Sequence, residues 1–286
     1  MQYWAIQTLN SLALGGLLFL LAAGFSLIFG LMRIANLTHG ALYMLGAYLG
    51  VSILKLVPNL WIAALLGGVA VALLGGVFER FILRRLQGNV LGQVLVTLGV
   101  SFIIADLCLV VWGGDPVPIP TPSWLQQPVR LWGLAFPAYR LAVVVLAVLV
   151  GIALYVFVEK TRLGAMIRAG VDDMEMARAC GIPVSRLFTI VFCLGAALAG
   201  AGGIIGGPIM SAYPGLDADM LPLALIVVIL GGVGSLFGAF VGSFVVGFVY
   251  TFGVALLPDL AYVILFLPMI LVIAFRPKGL FGKFAA

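Results

Sequence analysis

Residues 187–207 read LFTIVFCLGAALAGAGGIIGG, a run with no Asp, Glu, Lys or Arg and with Gly195, Ala199 and Gly203 spaced four apart. The run matches the roughly 20 apolar residues an α-helix needs to cross a bilayer core. Small residues four apart share one helix face, which lets membrane helices pack closely. Comparable runs occupy residues 9–31, 40–56, 60–78, 90–112, 140–158, 218–233, 238–257 and 260–275. Backbone groups cannot stay unpaired in lipid, so spans are helices or closed barrels, and these runs lack the alternation of barrel strands. The chain therefore reads as an all-α polytopic transmembrane helical bundle of about 8–9 spans. A single integrated membrane domain over residues 1–286 is the economical organisation. The runs at 40–56 and 218–233 are short enough to be broken or re-entrant helices.

Composition agrees with that reading. Hydrophobic residues make up 64% and charged residues 9% of the chain, with a mean hydropathy of +1.27, against about 25% charged for a soluble domain. The start Met1-Gln2-Tyr3-Trp4 has no basic leader, and the first apolar run is too long for a signal core, so it reads as a retained span. The net charge of +5 is explained by topology and calls for no nucleic acid. Arg33, then Arg80, Arg84 and Arg85, then Lys160, Arg162, Arg168, Arg178 and Arg186, and finally Arg276, Lys278 and Lys283 fall on one side if every run crosses. By the positive-inside rule that side is the cytoplasm, which puts the N-terminus outside and the C-terminus in the cytoplasm.

Enzymatic chemistry has little to stand on. The lone Gly282-Lys283 pair is followed by Phe284, so no phosphate-binding G-x-x-x-x-G-K-[ST] loop exists, and any ATP is hydrolysed by another chain. His39 is the only histidine, and Cys108, Cys180 and Cys193 are scattered, so no metal cluster, disulfide framework or catalytic triad is indicated. No cofactor is expected in this chain.

Three polar or glycine-broken regions stand out against the apolar background. Asn36-Leu37-Thr38-His39-Gly40 lies between the first two runs, where Asn36 or Thr38 could cap a helix or Asn36 and His39 could face a solute. Gly231-Gly232-Val233-Gly234-Ser235 breaks the apolar sequence in a manner that suits a cavity-lining break. Gly46-Ala47-Tyr48-Leu49-Gly50 and Gly238-Ala239-Phe240-Val241-Gly242 echo each other, but run in the same direction, unlike an inverted repeat. Asp106 lies inside the fourth run, where a carboxylate usually faces a polar interior. The translocation-pathway candidates are therefore Asn36, His39, Gly40, Gly46, Asp106, Gly232, Gly234 and Ser235, while Asp217 and Asp219 suit an outer rim.

Two connecting segments are long. Residues 113–140 are rich in Pro and Trp and read as a stiff extracytoplasmic loop at the membrane interface. Residues 159–186 are the one substantial stretch dense in both charge signs. Within it Asp172, Asp173 and Glu175 precede Met176-Ala177-Arg178-Ala179, and Gly181 and Pro183 follow, which predicts a short helix with acids at its start and a base at its end.

These residues together resemble the permease family of branched-chain amino acid ABC importers, the LivH type, which also includes urea and amide permeases. The resemblance rests on Phe29 through Gly40 with Gly46-Ala47-Tyr48, on Ile167-Arg168-Ala169 through Ala177-Arg178 to Cys180-Gly181-Ile182, and on Leu230 through Ser235 with Gly238-Ala239. It implies a second permease subunit (LivM-like or a copy of itself), two cytoplasmic ATP-binding subunits and an extracytoplasmic solute-binding protein. It implies further that 159–186 is the coupling loop, with Arg168, Ala169, Asp172, Glu175, Ala177, Gly181 and Ile182 at the ATPase. The expected function is inward transport of amino acids, of the branched-chain type, or similar small polar solutes. A passive channel for urea-like solutes would keep the glycines without needing a charged loop, and a secondary transporter should hold more buried ionisable groups than the single Asp106.

Overall fold

A computed structural model describes residues 2–32, 36–131, 134–276 and 279–282. Among the described residues the chain forms α1 (Gln2–Met32), α2 (Thr38–Leu56), α3 (Leu60–Phe81), α4 (Val90–Trp112), β1 (Pro128–Leu131), β2 (Leu134–Pro137), α5 (Ala138–Lys160), α6 (Arg162–Asp172), α7 (Met174–Ala179), α8 (Val184–Met210), α9 (Leu216–Gly231), α10 (Leu236–Leu256) and α11 (Ala261–Phe275). Each of the nine apolar runs is a helix. Six of them, α1, α3, α4, α5, α8 and α10, are long and apolar enough to cross a membrane. Of the other three, α9 and α11, with 16 and 15 residues, are too short at 1.5 Å per residue for a core about 30 Å thick, and α2, with 19, is less apolar because it opens on Thr38-His39 and holds Lys55.

Helix α8 is the centre of the bundle, packed most extensively against α3, α2 and α1. Its glycines are the reason. A Cβ on Gly24 of α1 would lie 2.6 Å from the Gly195 carbonyl, and one on Gly46 of α2 would lie 2.2 Å from the Gly200 carbonyl. One on Gly203 would lie 2.0 Å from the Tyr43 carbonyl. The small-residue face predicted for residues 195–203 is thus the surface against which α1 and α2 close.

The pairings fix direction. Gly24 meets Gly195 and Gly75 of α3 meets Ala196, whereas Gly15 of α1 meets Phe244 and Gly30 meets Gly234. Helices α1, α3 and α5 therefore start at one end of the bundle, and α8 and α10 run back toward it. The N-terminal end of α1 lies with the end of α10, where Trp4 stacks on Phe252. The opposite end carries α6, α7 and the segment 279–281.

Local signals set several helix starts. Asn59 accepts from the Trp61 and Ile62 amides at α3, Asn89 from Gly92 at α4, and Ser235 from Gly238 at α10. The segment 113–140, read as a stiff loop, has local order of its own. It contains an antiparallel hairpin with Val129 opposite Phe136, and Val117 exchanges both backbone hydrogen bonds with Ala212, at 2.7 and 2.9 Å. The alternating Val129-Arg130-Leu131 is the strand signal, too short to stand out among prolines.

The packing makes a clear prediction. Gly46→Val should displace α2 from α8 and lower the unfolding midpoint by an amount corresponding to at least about 1–3 kcal/mol, read as a detergent thermal-stability shift. Gly99→Ala in α4, where an added Cβ meets nothing within 4 Å, should be neutral or stabilising by about 0.5–1 kcal/mol.

Candidate functional site: a polar break in the bundle and a charged elbow at its end

The interior site begins with how α2 starts. The Asn36 side chain accepts from the Thr38 amide at 3.2 Å, the Thr38 hydroxyl donates to the Thr97 carbonyl of α4 at 2.8 Å, and His39 Nε2 lies 3.0 Å from the Leu21 carbonyl. The N-cap position is Leu37, Asn36 just before it meets the first amide of α2, and Thr38 is used as a bridge between helices. Leu21 lies eleven residues before the end of α1, roughly 16 Å along its axis, so α2 starts inside the bundle rather than at its surface. Residues 33–35 of this stretch, Arg33 included, lie outside the described residues.

Asn36, Thr38 and His39 are all buried. A carbonyl only accepts, so His39 Nε2 carries the proton and Nδ1 presents a lone pair. That Nδ1 and the Asn36 Nδ2 have no hydrogen-bond partner among the described residues. The Phe25 ring, 5.2 Å from the imidazole, closes one side. Gly40 lets α9 approach, since a Cβ there would lie 2.8 Å from the Asp217 carbonyl. Asn36 to Gly40 is thus a junction of α1, α2, α4 and α9 with two buried polar atoms still open to a ligand or water.

Helix α4 turns out to be polar on its inner face. Its buried residues are Gln93, Thr97, Ser101 and Cys108, and Phe102, Ile103, Leu109 and Val110 point outward. The four-residue spacing of Gln93, Thr97 and Ser101 carried this signal in the sequence, and it went unread there. Asp106 is exposed on the outward side of α4 and is not brought to the Asn36–His39 junction.

The second glycine region sits elsewhere. Gly232 and Gly234 have φ of 104° and 75°, the left-handed backbone that glycine supplies at low cost, and they turn α9 into α10. Gly234 lies against Gly30, two residues before the end of α1, roughly 13 Å along the axis from Leu21. The Leu280 and Phe281 amides donate to the Leu230 and Gly231 carbonyls at 2.9 and 3.0 Å, so the open end of α9 is closed by the chain's own C-terminal segment. Ser235 serves as cap to α10. Gly46 packs on α8, as described. The eight pathway candidates therefore divide: Asn36, His39 and Gly40 meet at the interior junction, Gly46, Gly232, Gly234 and Ser235 make packing and turn contacts, and Asp106 stands apart.

The elbow between α5 and α8 is ordered by its own sequence. Thr161 caps α6 through the Gly164 amide at 3.0 Å, and Asp173 caps α7 through the Glu175 and Met176 amides at 2.9 and 3.0 Å. Glu175 and Arg178 stand in the first and last turns of α7, the arrangement that favours its dipole. Gly181, with φ of 81°, closes the turn as the Ile182 amide bonds to the Ala177 carbonyl at 3.0 Å. The short helix expected there is present. Helix α6 was not foreseen; it buries Gly164, Ile167 and Gly170, with Gly170 against Leu31 and Leu187.

Of the residues read as coupling residues, Asp172, Glu175 and Gly181 are exposed, Ala169 and Ile182 are half-buried, and Ala177 is buried. Arg168 turns back to α5, bonded to the Val158 carbonyl and 3.5 Å from Glu159. Beside the elbow, Glu79 of α3 is fully buried and accepts from Thr189 at 2.6 Å and from Arg84 at 3.3 Å, while Arg84 also donates to the Ser185 carbonyl at 2.7 Å. This cluster pins the first turns of α8 to α3. In the sequence Glu79 is a single acid directly after the third apolar run.

Residues 7–273 match the family described as branched-chain amino acid transport system / permease component. The chain belongs to this permease family. The high-affinity branched-chain amino acid transport system permease protein BraD of Pseudomonas aeruginosa is 28% identical, over 97% of this chain and 95% of the relative. The corresponding permease protein LivH of Escherichia coli is 26% identical, over 98% and 96%. The autoinducer 2 import system permease protein LsrC of Klebsiella pneumoniae is 28% identical over 61% of this chain and 51% of the relative. No solved structure matches the chain at a significant level. Membership of this permease family makes the chain a transport component of a membrane assembly and not an enzyme, and the resemblance read from 29–40, 167–182 and 230–239 is borne out.

Glu79→Ala should remove the buried carboxylate to which Arg84 and Thr189 donate, leaving them the Ser185 carbonyl, and lower stability by about 1–3 kcal/mol, seen as a lower unfolding midpoint. Glu79→Gln, which still accepts from Thr189, should lose less.

Proposed function

We propose that this permease component forms part of the transmembrane path of an ATP-driven importer that carries branched-chain amino acids or similar small polar solutes into the cytoplasm. The observation that carries the reading is the match to the permease family along residues 7–273 in a chain whose exposed charged helix pair, α6 and α7, stands at one end of an apolar bundle. ATP is hydrolysed by two separate cytoplasmic subunits that seat on α7. A second permease subunit and an extracytoplasmic solute-binding protein complete the assembly.

Orientation follows from charge. Arg80, Arg84, Arg85, Lys160, Arg162, Arg168, Arg178 and Arg186 lie at the α6–α7 end, which the positive-inside rule assigns to the cytoplasm. The N-terminus is then extracytoplasmic. An ATPase pair that grips α7 differently in its open and closed forms shifts the inward-facing and outward-facing populations of the bundle by that difference in affinity. The buried, partly unpaired polar junction at Asn36 and His39 is the interior point at which a polar solute would exchange hydrogen bonds.

Cross-linking from a cysteine placed at Glu175 in native membranes should capture an ATP-binding subunit, and uptake of labelled leucine should stop on ATP depletion. Uptake that survives ATP depletion would identify a channel, and a requirement for a proton or sodium gradient would identify a secondary transporter.

A further inference from the structure

A cavity of about 570 Å³ opens at the N-terminal end of α1, away from the elbow, between the starts of α1 and α5 and the ends of α8 and α10. Its volume falls within the roughly 300–1,000 Å³ typical of small-molecule sites. None of the pathway candidates read from the sequence lines it. Its wall is polar at the outer end, with Tyr3, Gln7, Asn10, Arg140 and Thr251, and apolar deeper in, with Leu14, Leu17 and Ile209.

The polar end is organised. Gln7 donates to the Tyr3 hydroxyl at 3.1 Å, Asn10 donates to Gln7 Oε1 at 3.2 Å, and Arg140 donates to Asn10 Oδ1. A ladder of neutral side chains thus holds a guanidinium at the cavity wall. Arg140 forms no ion pair among the described residues, and no carboxylate lines the cavity. A guanidinium has five N–H donors in a planar fork and no acceptor capacity, so most of its donors remain for an oxyanion. Among the described arginines only Arg130 of β1 shares this end of the bundle with Arg140, the others standing toward the elbow end.

We infer that this cavity is an entry site for a small zwitterion with one carboxylate and an aliphatic side chain. Arg140 receives the carboxylate, and Leu14, Leu17 and Ile209 receive the side chain. The inference rests on the importer reading, which puts this end of the bundle outside the cell. The ammonium group meets neutral acceptors, the amides of Gln7 and Asn10 and the hydroxyls of Tyr3, Tyr250 and Thr251, and no carboxylate, so the carboxylate and the aliphatic chain dominate recognition. A phospholipid phosphate presents the same oxyanion chemistry, and the test separates the two sources.

The test uses the full chain with Ala255, which lines the cavity, replaced by cysteine and labelled from outside by a membrane-impermeant maleimide. L-Leucine and isocaproate, which keeps the carboxylate but lacks the amine, should both slow labelling, and isoamylamine, which lacks the carboxylate, should not. Arg140→Gln should raise the half-protecting leucine concentration roughly tenfold or more, and Arg140→Lys, which keeps the charge but not the fork, should raise it less. The ligand series is run with Arg140 intact, so it stands even where a variant fails to fold. Equal protection by isoamylamine, or none by leucine and isocaproate, would overturn the inference. So would protection in reconstituted vesicles that follows phosphatidylglycerol content and ignores leucine. Leucine uptake measured in the same cells separates the two readings: ATP-dependent uptake with labelling indifferent to leucine defeats the entry site alone, and absence of any uptake defeats the importer.

Discussion

The structure depends on backbone-to-backbone contact along α8. Lipid tails are as apolar as leucine, so helices in a bilayer gain little from hiding apolar side chains and associate through close packing instead. Gly195, Gly200 and Gly203 meet α1, α3 and α2 in turn, at distances where even a methyl group would collide. Bulkier residues on α8 would push those three helices outward together. Because α8 also runs from the turn after α7 to the Val117–Ala212 bridge, it links the charged elbow to the opposite end of the bundle in one helix.

Close packing leaves the bundle with a second constraint, the satisfaction of polar groups where a helix begins in the interior. Helix α2 does so beside Leu21, and the groups that meet its exposed amides and hydroxyls come from Asn36, from Thr97 of α4 and from the α1 backbone. This explains why α4 is turned with Gln93, Thr97 and Ser101 inward and its aliphatic residues outward. In water such a helix would be inside out; in lipid it is the favoured arrangement, since unpaired polar groups cost most against hydrocarbon. At the other break the same requirement is met differently, by the amides of Leu280 and Phe281 closing the end of α9.

Much of this was readable from the residues, and the parts that were not have physical causes. Apolar length located every long helix, and Gly181 with the acids before Met176 located α7, because these signals are local. Helix α6 does carry apolar residues at helical spacing, Leu163, Met166, Ile167 and Val171, but over only three turns and inside a segment dominated by charge of both signs, where the apolar stripe is easily hidden. Glu79 and Arg84 were visible as letters, but their pairing through Thr189 joins residues more than a hundred positions apart. The glycines were hardest to assign: Gly46 and Gly234 carry the same sequence signal as a cavity-lining break, and only their neighbours, Gly200 and Gly30, show that they serve close packing. Asp106 illustrates the limit of the rule that membrane carboxylates face inward, for the inward face of α4 was already taken by uncharged polar residues.

The two ends of the bundle bear on each other through few contacts, which gives the importer reading a physical form. The Ala177 carbonyl holds Ile182, and Arg84 holds Ser185 against the buried Glu79, so a displacement of α7 reaches the first turn of α8 with little slack. From there Gly195 would carry it to α1, and Gly200 and Gly203 to α2, which begins just after Asn36 and holds His39 in its first turn. Interdigitated packing of this kind resists gradual deformation and favours rearrangement between discrete states. A grip on α7 that differs between two states of an ATPase would then alter the surroundings of the His39 lone pair, and with them the affinity of the junction for a polar solute, without any charged group having to cross the bundle.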